Sequence, residues 1–129
     1  MYRWVSHTGE AELELEASRE SDVFVDALHA LAEVLGEPDG QPERRTVELE
    51  ARDLETLLAD WLSELVYLAE AERFLGREAE VGLADGRLLR AVVEGSLGRP
   101  SFLVKGVTYH GLSFGPADGG WRARVVLDV

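Results

Sequence analysis

Glu10-Ala11-Glu12-Leu13-Glu14-Leu15-Glu16-Ala17 alternates glutamate with an apolar residue at every step. A period of two puts the four glutamates on one face and the apolar side chains on the other, as in a strand with one wet face. Glutamate is a poor strand former, so the pattern carries the assignment rather than propensity. The row Glu12, Glu14 and Glu16 reads as a solvated face that also discourages edge pairing. Downstream the period changes. Phe24, Ala27, Leu28, Leu31, Ala32 and Leu35 recur at intervals of three and four, one stripe of a helix. Ser21 or Asp22 is positioned to cap that helix, and Gly36 with Pro38 to stop it.

Outward from this pair the same alternation of periods continues. Glu37-Pro38-Asp39-Gly40-Gln41-Pro42 reads as a loop, and Thr46-Val47-Glu48-Leu49-Glu50-Ala51 as a strand. Asp53 is placed as the N-cap of a second helix that buries Leu54, Leu57, Leu58, Trp61, Leu62, Leu65 and Val66. It is predicted to run to about Leu68 or one turn beyond, and to end before Gly76. The remainder is β. Asp85-Gly86 between Glu78–Leu83 and Leu88–Glu94 is a hairpin signature, and Gly98-Arg99-Pro100 breaks the chain. A second pair, Val104–Phe114 and Trp121–Leu127, flanks a turn over Gly115–Gly120. The expected fold is α+β, a single domain over 1–129, with two amphipathic helices on one face of a mixed or antiparallel sheet.

The 129 residues suit one domain with a real core, and 46% hydrophobic content excludes bulk disorder. No apolar run approaches the length of a membrane-spanning helix, and Met1–Thr8 lacks the basic and apolar stretches of a secretory signal. The absence of cysteine excludes disulfides, zinc–thiolate centres and thiol catalysis, and a cytoplasmic location is the expectation. The formal net charge is −12, and only one of the 13 basic residues, Lys105, is a lysine. Such a field repels phosphate polymers, so tight direct nucleic-acid binding is not expected. A basic protein or a metal cation suits the surface better.

Signatures of nucleotide binding and of serine nucleophiles are missing: there is no P-loop, no Gly-x-Gly-x-x-Gly and no Gly-x-Ser-x-Gly. Asp60 and Glu64 stand one helical turn apart beside Trp61, a spacing common on wet helix faces. Of three histidines, His29 falls away from its helix's apolar stripe and reads as surface. His7, before the Thr8-Gly9 turn, and His110, before Gly111, are each able to act as a base or metal ligand, but no spacing pairs them. The last two residues are more unusual. With the final strand held in the sheet, the Asp128 carboxylate and the Val129 α-carboxylate come close together and repel unless a cation bridges them. Calcium accepts such oxygen donors in irregular geometry. Glu10, just after the Thr8-Gly9 turn, is available as a third.

Four segments taken together resemble the archease family: His7-Thr8-Gly9-Glu10, the helix Asp53–Leu68, Val104-Lys105-Gly106-Val107-Thr108-Tyr109-His110-Gly111-Leu112, and the ending Trp121–Val129. They occur in order across nearly the whole chain. The resemblance implies a non-catalytic accessory protein of the RNA-splicing ligase that joins 2′,3′-cyclic phosphate ends to 5′-hydroxyl ends. Such a factor promotes the ligase's metal-dependent guanylylation of its own histidine and its repeated turnover in tRNA splicing and RNA repair. It further implies a divalent-metal site, calcium foremost, at Glu10, Asp128 and Val129, and a functional role for Lys105. The chain departs from the family where Glu10 replaces the usual aspartate and Gly9 the common alanine. Two rival readings are an acidic, chaperone-like binding module without an RNA-processing role, and a metal-assisted phosphoester hydrolase using His7 or His110.

Overall fold

A computed structural model describes residues 1–37, 39–101 and 104–129. The chain runs β1 (Tyr2–His7), β2 (Glu10–Ala17), α1 (Glu20–Leu35), β3 (Pro42–Glu50), α2 (Leu54–Ala71), β4 (Phe74–Ala84), β5 (Leu88–Leu97), β6 (Gly106–Ala117) and β7 (Gly120–Asp128). Every pairing is antiparallel, and the strands divide into two sheets, β1-β2-β7-β6 and β3-β5-β4. The fold is α+β as expected, with the strands shared between two sheets that are both antiparallel. Both helices touch both sheets: α1 packs on β4, β2, β1 and β7, and α2 on β6, β4, β3 and β7.

That double contact explains why the helices bury more than one stripe. Val23 and Ala30 join Phe24, Ala27, Leu28, Leu31 and Leu35 in the core, and nine residues of α2 are buried. The apolar face of β2 supplies Leu13 and Leu15, both fully buried, and β7 adds Ala123, Val125 and Leu127. Val47, Leu89, Ala91 and Val93 line the other sheet. Each buried leucine is worth about 2 kcal/mol of transfer free energy. Trp61 is the largest fully buried side chain. Its indole N–H donates to the Phe24 carbonyl at 2.9 Å, so this buried polar handle is satisfied by the neighbouring helix.

The local signals were honoured unevenly. Asp53 caps α2 as expected, accepting from the Thr56 amide at 2.9 Å, and hydrogen bonding by Thr56, its side chain first and its amide second, holds the Asp53 carboxyl below the usual carboxylate range. α1 instead begins at Glu20, with Arg19 at the cap position and no side-chain cap. Ser21 and Asp22 lie inside the first turn, where Asp22 receives the Arg19 guanidinium at 3.2 Å. Gly36 ends α1 at φ +111°, and the Leu35 carbonyl accepts from the Ser101 amide. Pro38, part of the expected stop signal, lies outside the described residues. The second hairpin turns on Asp118-Gly119 alone, both at positive φ, so β6 and β7 run further than the Gly115–Gly120 reading allowed.

Two expectations follow for stability. Trp61→Ala removes both the packed indole and its bond to Phe24, and should cost about 3–5 kcal/mol, read as a lower denaturant midpoint. Asp53→Ala should cost about 1 kcal/mol at neutral pH. Because the folded-state pKa is depressed, the cap's contribution is complete above the ordinary carboxylate pKa and fades as pH falls through the folded value. Urea unfolding of wild type and variant should therefore converge under strongly acidic conditions.

Candidate functional site

The register between β1, β2, β7 and β6 builds the site. His7 lies opposite Glu10, Glu10 opposite Asp128, and Asp128 opposite Gly106. Directly paired residues share a face, and Leu13 and Leu15 face inward, so this row stands on the solvent side of the four-stranded sheet. The Val129 amide donates to the Gly9 carbonyl at 3.1 Å. That bond flanks Glu10 and Asp128 in the manner of a non-hydrogen-bonded antiparallel pair, the type in which side chains stand closest. Two like charges directly opposite are unfavourable unless something neutralises them.

The last residues are held. Besides the Val129 bond, the Lys105 amide donates to the Asp128 carbonyl at 2.7 Å, and the Val129 side chain packs against the core. Glu10, Asp128 and the exposed Lys105 therefore gather around one end of the sheet. Among the described residues no three His, Asp or Glu side chains converge as a metal cluster. A cation at this end would need Glu10 and Asp128 to be joined by a donor that is not a side chain, and the Val129 carboxylate is the neighbouring one. The donors are all hard oxygens, a set that fits calcium or magnesium better than a thiophilic metal.

The histidines separate. His7 sits in the acidic row but its Nε2 leans toward Glu12, 3.9 Å from Oε1, an ion pair only when the imidazole is protonated. Glu12 is also 3.8 Å from Arg124 on β7, so the expected solvated glutamate is a shared partner, its side chain only 16% exposed. His29 is held by Glu78 of β4 at 2.9 Å. His110 falls in an irregular stretch of β6 between Thr108 and Ser113, where the register with β7 shifts. Its amide donates to the Thr108 hydroxyl at 3.1 Å, and among the described residues no hydrogen bond or ion pair joins it to Glu10 or Asp128.

This bulge is fastened on two sides. The Tyr109 hydroxyl donates to Asp60 of α2 at 2.9 Å, which raises the phenol above its ordinary pKa. On the other side the Arg124 guanidinium donates to the Gly111 carbonyl at 3.1 Å. Gly111 has φ +74°, and a Cβ there would stand 2.6 Å from Arg124. Asp60 is thus bound to a tyrosine across the fold. Its spacing from Glu64 gave no sign of this partner, and the stretch was expected as an unbroken strand, although a glycine inside a strand pattern is the kind of cue that marks a bulge. Beyond the bulge, Arg3, Glu14, Arg122, Arg124 and Glu16 line an 860 Å³ cleft on the same solvent face.

The fold and sequence have known relatives. The family model described as the Archease protein family (MTH1598/TM1083) matches residues 2–129. Protein archease of Methanosarcina barkeri is 30% identical, over 99% of this chain and 95% of the relative. The Pyrobaculum neutrophilum protein of the same name is 32% identical over the same shares. The solution structure of Methanobacterium thermoautotrophicum protein 1598 superposes with a TM-score of 0.73 at 26% identity, covering 99% of this chain and 98% of that one. A Thermotoga maritima crystal structure described as an archease and possible chaperone gives a TM-score of 0.70 at 18% identity, covering 100% and 98%, a likeness of fold. With the model matched from Tyr2 to Val129, the chain belongs to the archease family.

Proposed function

We propose that this protein is a non-catalytic accessory factor that activates an RNA-splicing ligase, promoting the ligase's guanylylation and multiple turnover. A divalent metal, calcium foremost, is held by Glu10, Asp128 and the Val129 carboxylate. The observation that carries the reading is Glu10 directly opposite Asp128, beside a final residue tied to Gly9. Like-charged carboxylates fixed at adjacent register positions are what a hard cation relieves. Glu10 stands where the family usually has aspartate; its side chain is one methylene longer and would still offer a carboxylate to an ion. A bound ion would supply positive charge at this end; the chain's own residues orient the carboxylates and present Lys105 beside them. Lys105 makes none of the ion pairs found among the described residues, which leaves its ammonium for a phosphate or an acidic group of the partner.

A net charge of −12 favours a protein partner over RNA, and no described helix is long and apolar enough to cross a membrane. The hydrolase reading draws less support, because among the described residues His110 makes no hydrogen bond or ion pair with Glu10 or Asp128, and His7 leans toward Glu12.

Adding the protein to the ligase with GTP and a divalent metal should convert single turnover into many. Lys105→Ala should reduce the guanylylation rate by about tenfold or more if its charge acts in the complex. No gain in turnover with wild type would leave the acidic binding module as the surviving reading. The metal is tested separately by calorimetry. Asp128→Asn, or extension of the chain by a few residues beyond Val129, should each weaken calcium binding by about tenfold or more, since each removes one charged donor. Unchanged affinity after extension would remove Val129 from the ligand set.

A further inference from the structure

The outward face of α2 carries charge that the molecule leaves unused. From Asp53 to Glu72 there are six acidic residues and no lysine or arginine. Within that stretch Asp53 is matched by Arg52 and Glu72 by Arg45. On the strands some acidic side chains are matched, Glu14 by Arg3, Glu16 by Arg122 and Glu94 by Arg44, and others, such as Glu50 and Glu80, are not matched among the described residues. Asp60, Glu64 and Glu70 take part in none of the ion pairs found among the described residues. Glu70 also lies in the last turn of the helix, where the dipole disfavours an anion and no basic residue offsets it. This arrangement works against the helix's own stability.

Two aromatic rings border the same face. Tyr67 is one turn beyond Glu64 and 56% exposed; Tyr109, also 56% exposed, leans over from β6 with its hydroxyl on Asp60. They are among the few large apolar side chains so exposed on the described surface. Residues 60, 64 and 67 share one helical stripe, and Asp60 and Tyr67 are about 10 Å apart along the axis. The stripe therefore offers carboxylates interleaved with π-faces. A guanidinium is the group that both recognise, by charge-assisted hydrogen bonds and by stacking on the ring. Phosphate would be repelled.

We propose that this face of α2, with Tyr109, is a docking surface for an arginine-rich protein segment, two or more guanidinium groups spaced to meet Glu64, Tyr67 and Glu70. Charge complementarity selects the occupant. Tyr109 is three residues along β6 from Gly106, which lies opposite Asp128, so the face adjoins the carboxylate end of the four-stranded sheet. On the reading above, the segment belongs to the ligase, but the surface is argued without it.

The test compares wild type with the double variant Glu64→Lys/Glu70→Lys and with Glu50→Lys/Glu80→Lys, which makes the same change in net charge on the strands β3 and β4. The probe is a short synthetic peptide carrying arginines one helical turn apart, followed by calorimetry and by amide chemical shifts at low and high salt. Binding should shift amides over residues 60–71 and 109, and weaken by about tenfold in the α2 double variant, much less in the β-strand one. Tyr67→Ser should weaken it several-fold. A thermal midpoint that does not fall in Glu64→Lys/Glu70→Lys shows the loss is not unfolding. Shifts scattered over the acidic surface, or equal losses in the two double variants, would overturn the assignment. The ligase is titrated in parallel. If it fails to bind wild type while the peptide still maps to α2, the ligase reading falls and the docking surface stands.

Discussion

The pairing of β2 with β7 is the constraint on which the rest depends. Eight residues near one end of the sequence, Glu10–Ala17, are zipped antiparallel to eight near the other, Trp121–Asp128. Closing a loop of about a hundred residues is entropically costly, though the cost grows only slowly with length. The apolar face of the ladder repays it: Leu13, Leu15, Ala123, Val125 and Leu127 are buried against the helices. Because the side-chain period is two, the same register that buries these residues fixes Glu10 against Asp128 outside. Core and carboxylate row are two faces of a single ladder.

The helices depend on this sheet and on the other one. α1 and α2 meet through Trp61, whose indole donates to the Phe24 carbonyl, and both contact strands of the two sheets. Their burial is consequently wider than a surface helix requires. What remains exposed on α2 is narrow, and it is acidic and aromatic with no basic residue. Arginine is distributed in the opposite way. On the solvent face of the four-stranded sheet Arg3, Arg122 and Arg124 pair with Glu14, Glu16 and Glu12 of β2, so the middle of that face is matched. Glu10 and Asp128 at its end, like Glu64 and Glu70 of α2, are in none of the ion pairs among the described residues. The net charge of the chain thus conceals a division between spent and unspent carboxylates.

Periodicity, glycine and caps were legible where they are local. The alternation at Glu10–Ala17, the leucine stripe with Trp61, the Asp53 cap and the Asp85-Gly86 hairpin each express a backbone preference within a few residues. The cap of α1 falls elsewhere than expected: Ser21 and Asp22 are good cap residues, yet the helix takes Arg19 as its cap, two or three residues earlier and with no side-chain bond. The bulge at Tyr109–Leu112 was missed within the expected strand Val104–Phe114, and its fastening to Asp60 and Arg124 links residues 49 and 13 positions apart, which no local rule reports.

The sequence alone determined the kinds of elements, their order, the single-domain size and the acidic balance, because those follow from periodicity and composition. It also carried enough motif likeness to indicate the family. The tertiary structure alone decided that the strands form two sheets, and that His7, Glu10 and Asp128 align in one row while His110 falls where the β6–β7 register shifts. It also decided which carboxylates keep a free charge. These are consequences of strand register and helix packing, and register is chosen by the burial of the whole apolar face, a sum over contacts far apart in the chain.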